Sequence, residues 1–296
     1  MVRLLPRLFT TAAVIATTVA PSLPPAAAAD TDLSDRLTDQ ILQIYRRDFT
    51  RQLDSEFEQH KKALGETETS ERANRLRVLL KQRADTYETL EEFDRAEADY
   101  NARIEVRPLD PSVYSDRGYF YMRQSRYSDA ARDFITGSRL QPYDAIFSYG
   151  AGRAFARMGA YDDSLEQYAE AIRLAPNDGL PRLSRAEALL ELGRYVEARA
   201  DYDRAITLGL PRAPDRYFAF FGRGYDLIRL GDYEGAVRDL NAALRLRPGM
   251  INALVWRGYA RERLGQRAGA LDDYEAALRL SPNDGWIRAS IKRMRS

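Results

Sequence analysis

The chain has 296 residues, 45% hydrophobic and 30% charged, with 45 basic against 44 acidic side chains and a formal net charge of +1. That balance belongs to an ordered soluble protein, and near-neutrality argues against bulk nucleic-acid binding. With no cysteine and one histidine, His60, the sequence excludes disulfides and thiolate chemistry and leaves almost no imidazole for metal or acid–base work.

The first predicted element is a leader. Arg3 and Arg7 precede an apolar stretch over residues 8–20, and Ala27-Ala28-Ala29 stands before Asp30. This order of charged, apolar and small-residue regions reads as a secretory signal peptide over residues 1–29 with an A-x-A cleavage site. The apolar stretch of 13 residues is well short of the ~20 a membrane-spanning helix needs. The mature protein is therefore expected outside the membrane, exported, in a bacterial periplasm, with its net charge reduced to −1 by the loss of Arg3 and Arg7. The separation of these arginines speaks against the twin-arginine route, and the missing cysteine against lipoprotein anchoring. The alternative is an uncleaved N-terminal anchor.

Residues 30–76 form a predicted N-terminal helical extension. Leu33, Leu37, Ile41, Tyr45, Phe49, Leu53 and Phe57 recur every four residues, as in one long amphipathic helix or a broken pair. Such an element caps a stack of repeats, in which case the protein is a monomer, or acts as a dimerisation or docking arm.

From residue 77 the chain repeats. Pro108, Pro142 and Pro176 are 34 residues apart, as are Pro248 and Pro282. Counting 31 back from each proline, or from its equivalent Leu210, starts six units at 77, 111, 145, 179, 217 and 251. Small residues hold the eighth place (Ala84, Gly118, Gly152, Ala186, Gly224, Gly258) and the twentieth (Ala96, Ala130, Ser164, Ala198, Ala236, Ala270). A large residue holds the twenty-fourth: Tyr100, Phe134, Tyr168, Tyr202, Leu240 and Tyr274. Each unit predicts two amphipathic helices joined by a turn such as Gly193-Arg194-Tyr195 or Gly231-Asp232-Tyr233, glycine supplying the left-handed stop and proline ending the second helix. Small residues let the two helices approach closely.

In period, small residues and terminal proline, residues 77–284 resemble the tetratricopeptide repeat family. The resemblance implies an all-α, right-handed α-solenoid of about six helix pairs, with the N-terminal extension before it and a C-terminal capping helix over residues 285–296. There are departures: Arg103 and Gly137 stand at the twenty-seventh place where alanine is usual, Arg267 replaces the aromatic of the last turn, and Ser164 replaces an alanine. Between the fourth and fifth units, residues 210–216 carry four extra residues with Pro211 and Pro214, a stiffened joint that changes the angle between units or is a neutral surface insertion. At the end, Asp284 caps a helix whose Ile287, Ile291 and Met294 form one buried stripe.

No phosphate loop, nucleophile elbow or metal-spaced motif appears. The paired acids Asp272-Asp273, Asp162-Asp163 and Glu91-Glu92 read as solvated residues in or beside turns, and His60 as a surface residue. No enzyme activity and no cofactor or metal is expected, apart from a minor reading as an accessory subunit of an envelope enzyme.

Binding residues are sought in the first helix of each unit. Places 4, 8 and 11 lie within ~60° of one another and form the core stripe, whereas places 2, 5, 9, 12 and 13 cluster ~100–150° away. By resemblance to the family, the second direction is the concave face. It carries Tyr119, Tyr149, Phe218, Phe221, Tyr225, Val255 and Tyr259 with Arg123, Arg153, Arg157, Arg229 and Arg263. Aromatic rings with arginines are the residue types that anchor protein interfaces, so the expected partner is a protein or peptide segment. Ordinary packing between units is the other use for such rings, Phe218 and Phe221 being nearest the core. The family's clamp for chaperone C-termini is disfavoured, since only Lys81 fits it and Asp85 and Asp116 occupy the asparagine places. The alternative class is a structural homo-oligomer built through the N-terminal helix.

Overall fold

In a computed structural model, the chain is described at Ser55 and over residues 70–295, where it forms thirteen α-helices and, among the described residues, no strand. The leader, the apolar stripe of residues 33–57 and His60 lie outside the described residues. Two compact units emerge, Met1–Pro108 and Leu109–Ser296.

In the first, α1 (Ser70–Thr89) packs against α2 (Phe93–Val106). α1 begins ahead of residue 77, so helical chain crosses the expected start of the first repeat. The second unit stacks α3 (Pro111–Arg123), α4 (Tyr127–Leu140), α5 (Ala145–Arg157), α6 (Tyr161–Leu174), α7 (Gly179–Glu191), α8 (Tyr195–Leu208), α9 (Ala213–Leu230), α10 (Tyr233–Leu246), α11 (Ile251–Arg263), α12 (Arg267–Leu280) and α13 (Gly285–Arg295). Every helix of this unit packs on the next, and the first helices α3, α5, α7, α9 and α11 also meet one another in succession. The fold is an all-α solenoid.

Local chemistry sets these boundaries. The carboxylates of Asp110, Asp144 and Asp178, each two residues beyond a repeat proline, accept from Ser112 N, Ile146 N and Leu180 N at 2.9–3.0 Å and so cap α3, α5 and α7. Asp284 does the same for α13, accepting from Ile287 N at 3.0 Å. The turns within repeats need a left-handed residue. Gly159, Gly193, Gly231 and Gly265 supply it with φ between 72° and 83°, while Glu91 and Ser125 take it at 60° and 58° despite their side chains.

Packing follows the expected small-to-large pattern. The six residues of the twenty-fourth place are buried, and the eighth-place glycines make room for them: a β-carbon on Gly152 would stand 2.7 Å from the Tyr168 ring, and one on Gly258 2.9 Å from Tyr274. Ser164 is buried in an alanine place with its hydroxyl satisfied by the Tyr161 carbonyl at 2.7 Å. Ile287, Ile291 and Met294 of α13 are buried in the core that Tyr274 and Ala277 of α12 share.

Two readings are corrected. The insertion is not a proline-stiffened joint throughout: residues from Ala213 onward become an extra N-terminal turn of α9, which has 18 residues where the neighbouring first helices have 13. Pro214 is tolerated there because the first helical turn needs no N–H from it. Asp273 is not a solvated turn residue either. It is buried in α12 and holds Arg257 and Arg261, the latter at 2.8 Å.

Asp273 belongs to a recurring pair that sequence reasoning missed. Arg117 reaches Asp133 at 2.7 Å, Arg185 reaches Asp201 at 2.6 Å, and Arg223 reaches Asp239 at 2.6 Å, each through two parallel N–H donors. Arg83 and Asp99 make the same fork in the first unit. The residues stand 16 apart, at the seventh and twenty-third places, and only the repeat at 145 departs, with Ala151 and Gln167 there.

Candidate inner-face binding site

The first helices of the second unit meet in succession, which brings side chains of neighbouring repeats together, as Tyr149 with Ser184 and Tyr225 with Trp256. The structure gathers the expected site residues into two groups. In the first, Tyr119 is half-buried, edge-on to Phe134 at 5.0 Å. Burial pushes its phenol above the ordinary value and nearby Arg153 opposes this. Tyr149 is also half-buried. Its hydroxyl lies 3.4 Å from Ser184 Oγ, linking α5 to α7, and the Arg153 guanidinium sits 5.7 Å from its ring centre. Arg123 and Arg157 are exposed.

The second group is aromatic. Tyr225 meets Trp256 edge-on at 4.8 Å, and Trp256 meets Tyr259 at 5.9 Å. The Tyr259 hydroxyl accepts from Arg263 at 3.1 Å, and Arg263 also lies over the Tyr233 ring at 4.7 Å. Phe221 stacks on buried Tyr217 at 5.8 Å and is half-buried against the core. Phe218 departs from its core expectation: it touches Tyr217 only by its edge and remains 43% exposed. Trp256 was missed because it stands at the sixth place, between the two stripes read from the sequence.

Glu187 on α7 was missed as well, since only aromatics and arginines were sought. It occupies the same place as Arg153 and still meets water, although protein walls surround it. Those walls push its carboxyl above the usual range, while Arg157 and then Arg153 pull it down. Because the side chain remains accessible, the upward direction is modest in consequence, and Glu187 is the through-space counter-charge of the two arginines.

Elsewhere, a cleft of about 460 Å³ lies among α6, α7 and α8. Two of the arginines lining it are already held, Arg185 by Asp201 and Arg194 by Glu197 at 2.7 Å, so it offers little for recognition. In the first unit, Lys81 is engaged by Asp85 at 3.0 Å. Among the described residues, no group of three or more His, Cys, Asp or Glu is placed to hold a metal ion, and no helix is long and apolar enough to cross a membrane.

The sequence matches the tetratricopeptide repeat over residues 81–145, 116–179, 149–216 and 221–285, most of the chain. The chain belongs to the tetratricopeptide repeat family. Among solved structures, the fold is similar to YrrB, described as a TPR protein with an unusual peptide-binding site (TM-score 0.56, 19% identity, 65% of this chain and 97% of that one). It is also similar to PilW, a type IV pilus biogenesis factor (TM-score 0.61, 14% identity, 73% and 98%). A third is MamA from Desulfovibrio magneticus RS-1 (TM-score 0.53, 18% identity, 60% and 97%). Among curated proteins, none matches the sequence. These identities establish the shared fold, which is generally a non-catalytic scaffold for protein–protein interaction.

Proposed function

We propose that this protein holds a segment of another protein along the inner, concave face of its first helices, without catalysing a reaction, as a scaffold in the bacterial cell envelope. One observation carries the reading. Tyr119, Tyr149, Tyr225 and Tyr259 are all half-buried at off-core places of the first helices, with Arg153 beside Tyr149 and near Tyr119, Arg263 beside Tyr259 and Trp256 beside Tyr225, so partly exposed rings stand together with planar cations. Rings held in place by neighbours lose little freedom on binding, which is what makes such positions effective anchors. Two proteins of similar fold, YrrB with its unusual peptide-binding site and PilW, a type IV pilus biogenesis factor, are consistent with this. The envelope location rests on the leader of residues 1–29.

The test begins with affinity capture from the native envelope and identification of the partner by mass spectrometry. Tyr225→Ala with Tyr259→Ala is expected to weaken the purified complex at any salt concentration, anchors of this kind costing more than ~1 kcal/mol each. Arg123→Ala with Arg157→Ala is expected to weaken it chiefly at low salt, because exposed charges are screened. Helical melting of each variant separates lost binding from lost packing against Trp256. Folded tyrosine variants that bind the partner fully would move the site to another face. Recovery of a periplasmic chain beginning at Asp30 checks the location, and a full-length cytoplasmic product overturns it.

A further inference from the structure

In the second unit, the ninth and thirteenth places of the five first helices follow a rule broken only on α5 and α7. Three of the five helices carry tyrosine and then arginine: Tyr119 and Arg123 on α3, Tyr225 and Arg229 on α9, Tyr259 and Arg263 on α11. On α5 both places are basic, Arg153 and Arg157, and on α7 both are acidic, Glu187 and Glu191. α5 and α7 touch, and the Tyr149 to Ser184 contact marks the face they share. Arg157, Glu187 and Glu191 are exposed and Arg153 is half-exposed, so none of these charges serves the core.

We propose that this basic-then-acidic step reads an ordered pair of charges on the bound segment, an acidic residue opposite α5 and a basic residue opposite α7. The inference rests on the inner-face reading and deepens it, from a protein segment of unstated charge to a dipolar one. An acidic segment alone would gain Arg153 and Arg157 but meet Glu187 and Glu191 one helix later. Like charges brought together at an interface reject wrong partners and wrong registers more strongly than matched pairs add affinity. Packed helices are ~8–10 Å apart, which is about three residues of extended chain. The two charges on the partner therefore stand about three residues apart, and their order fixes the direction in which the segment lies.

The experiment uses the full mature chain and three labelled synthetic peptides with the same leucine and tyrosine flanks. One has an acidic pair and a basic pair about three residues apart, one has both pairs acidic, and one has both basic. At pH 8, where Glu187 is ionised, the mixed peptide is expected to bind about tenfold more tightly than either uniform peptide, a difference of ~1.4 kcal/mol. Replacing both acids, Glu187→Lys with Glu191→Lys, changes exposed positions only and is expected to turn the preference toward the all-acidic peptide. Wild-type protein that binds the all-acidic peptide equally or better overturns the charge rule and leaves the inner-face reading standing. The rule also falls if the double variant keeps its preference for the mixed peptide. Failure of all three peptides to bind overturns both readings.

Discussion

Gly137 and Phe147 share one volume: the Phe147 ring occupies the space where a β-carbon of Gly137 would lie. Gly137 is at the twenty-seventh place on α4 and Phe147 at the third place on α5. In two later repeats the same places hold two alanines within one core, Ala205 with Ala219 and Ala243 with Ala253. The missing alanine methyl is thus matched by the larger ring facing it. Gly137→Ala alone is expected to destabilise by about 1–3 kcal/mol through overpacking. Adding Phe147→Ala should cost less in that background than in wild type, because the first change has already displaced the ring. Denaturant titration of the four proteins in the cycle measures this coupling, and strict additivity contradicts it.

Asp226 is fully buried on α9, with neither carboxylate oxygen hydrogen-bonded, at a place where Ala154, Ala188 and Ala260 stand in other repeats. Burial pushes its carboxyl up to about 7, with Arg199 opposing and Asp203 adding to the rise. Unfolded, the group titrates near ~4. Between those values the folded chain holds a proton that the unfolded chain has lost, so stability falls as pH rises from ~4 to about 7 and the full cost is present above that. Asp226→Ala is expected to raise stability at pH 8 by about 1–3 kcal/mol and to do much less at pH 5. Urea midpoints at the two pH values decide it, and an equal effect at both would be the contrary result.

The Arg117–Asp133 fork can be converted to the composition of the neighbouring repeat. Asp133→Gln alone removes the paired carboxylate from the largely buried guanidinium and is expected to cost up to ~3 kcal/mol. Arg117→Ala with Asp133→Gln reproduces Ala151 and Gln167, and should recover a substantial part of that loss. Thermal melts of both variants give the comparison, and a double variant less stable than the single one refutes it.

Ser125 adopts φ 58° in the turn between α3 and α4, where later repeats place Gly159, Gly193, Gly231 and Gly265. Ser125→Gly is expected to stabilise by about 1 kcal/mol, the order of the left-handed penalty for a residue with a β-carbon. A lowered melting temperature would show that the Ser125 side chain contributes more than this backbone strain.

Some of this protein was determined by its sequence alone. The proline period, the small residues facing a large one and the cap at Asp284 were legible because each is a local demand: a missing N–H, a close helix approach, an orphan backbone donor. The candidate face was legible in part, since helical geometry places Tyr119, Tyr149, Tyr225 and Tyr259 off the core stripe whatever surrounds them. The tertiary structure decided what depends on the neighbouring repeat. Places 3 and 10 of the first helices make a second buried stripe, as Phe147, Ala154, Ala219 and Ala260 show, because a stacked helix is covered from two sides while periodicity within one helix reports the dominant one. The same reason hid buried Asp226 and Asp273 among many surface acids, and left Trp256 between two stripes until Tyr225 and Tyr259 were brought against it. That residues from Ala213 onward join a helical turn was hidden for a related reason: Pro214 fits the first turn of a helix as well as it fits a loop, and only α9 in place shows which it joins.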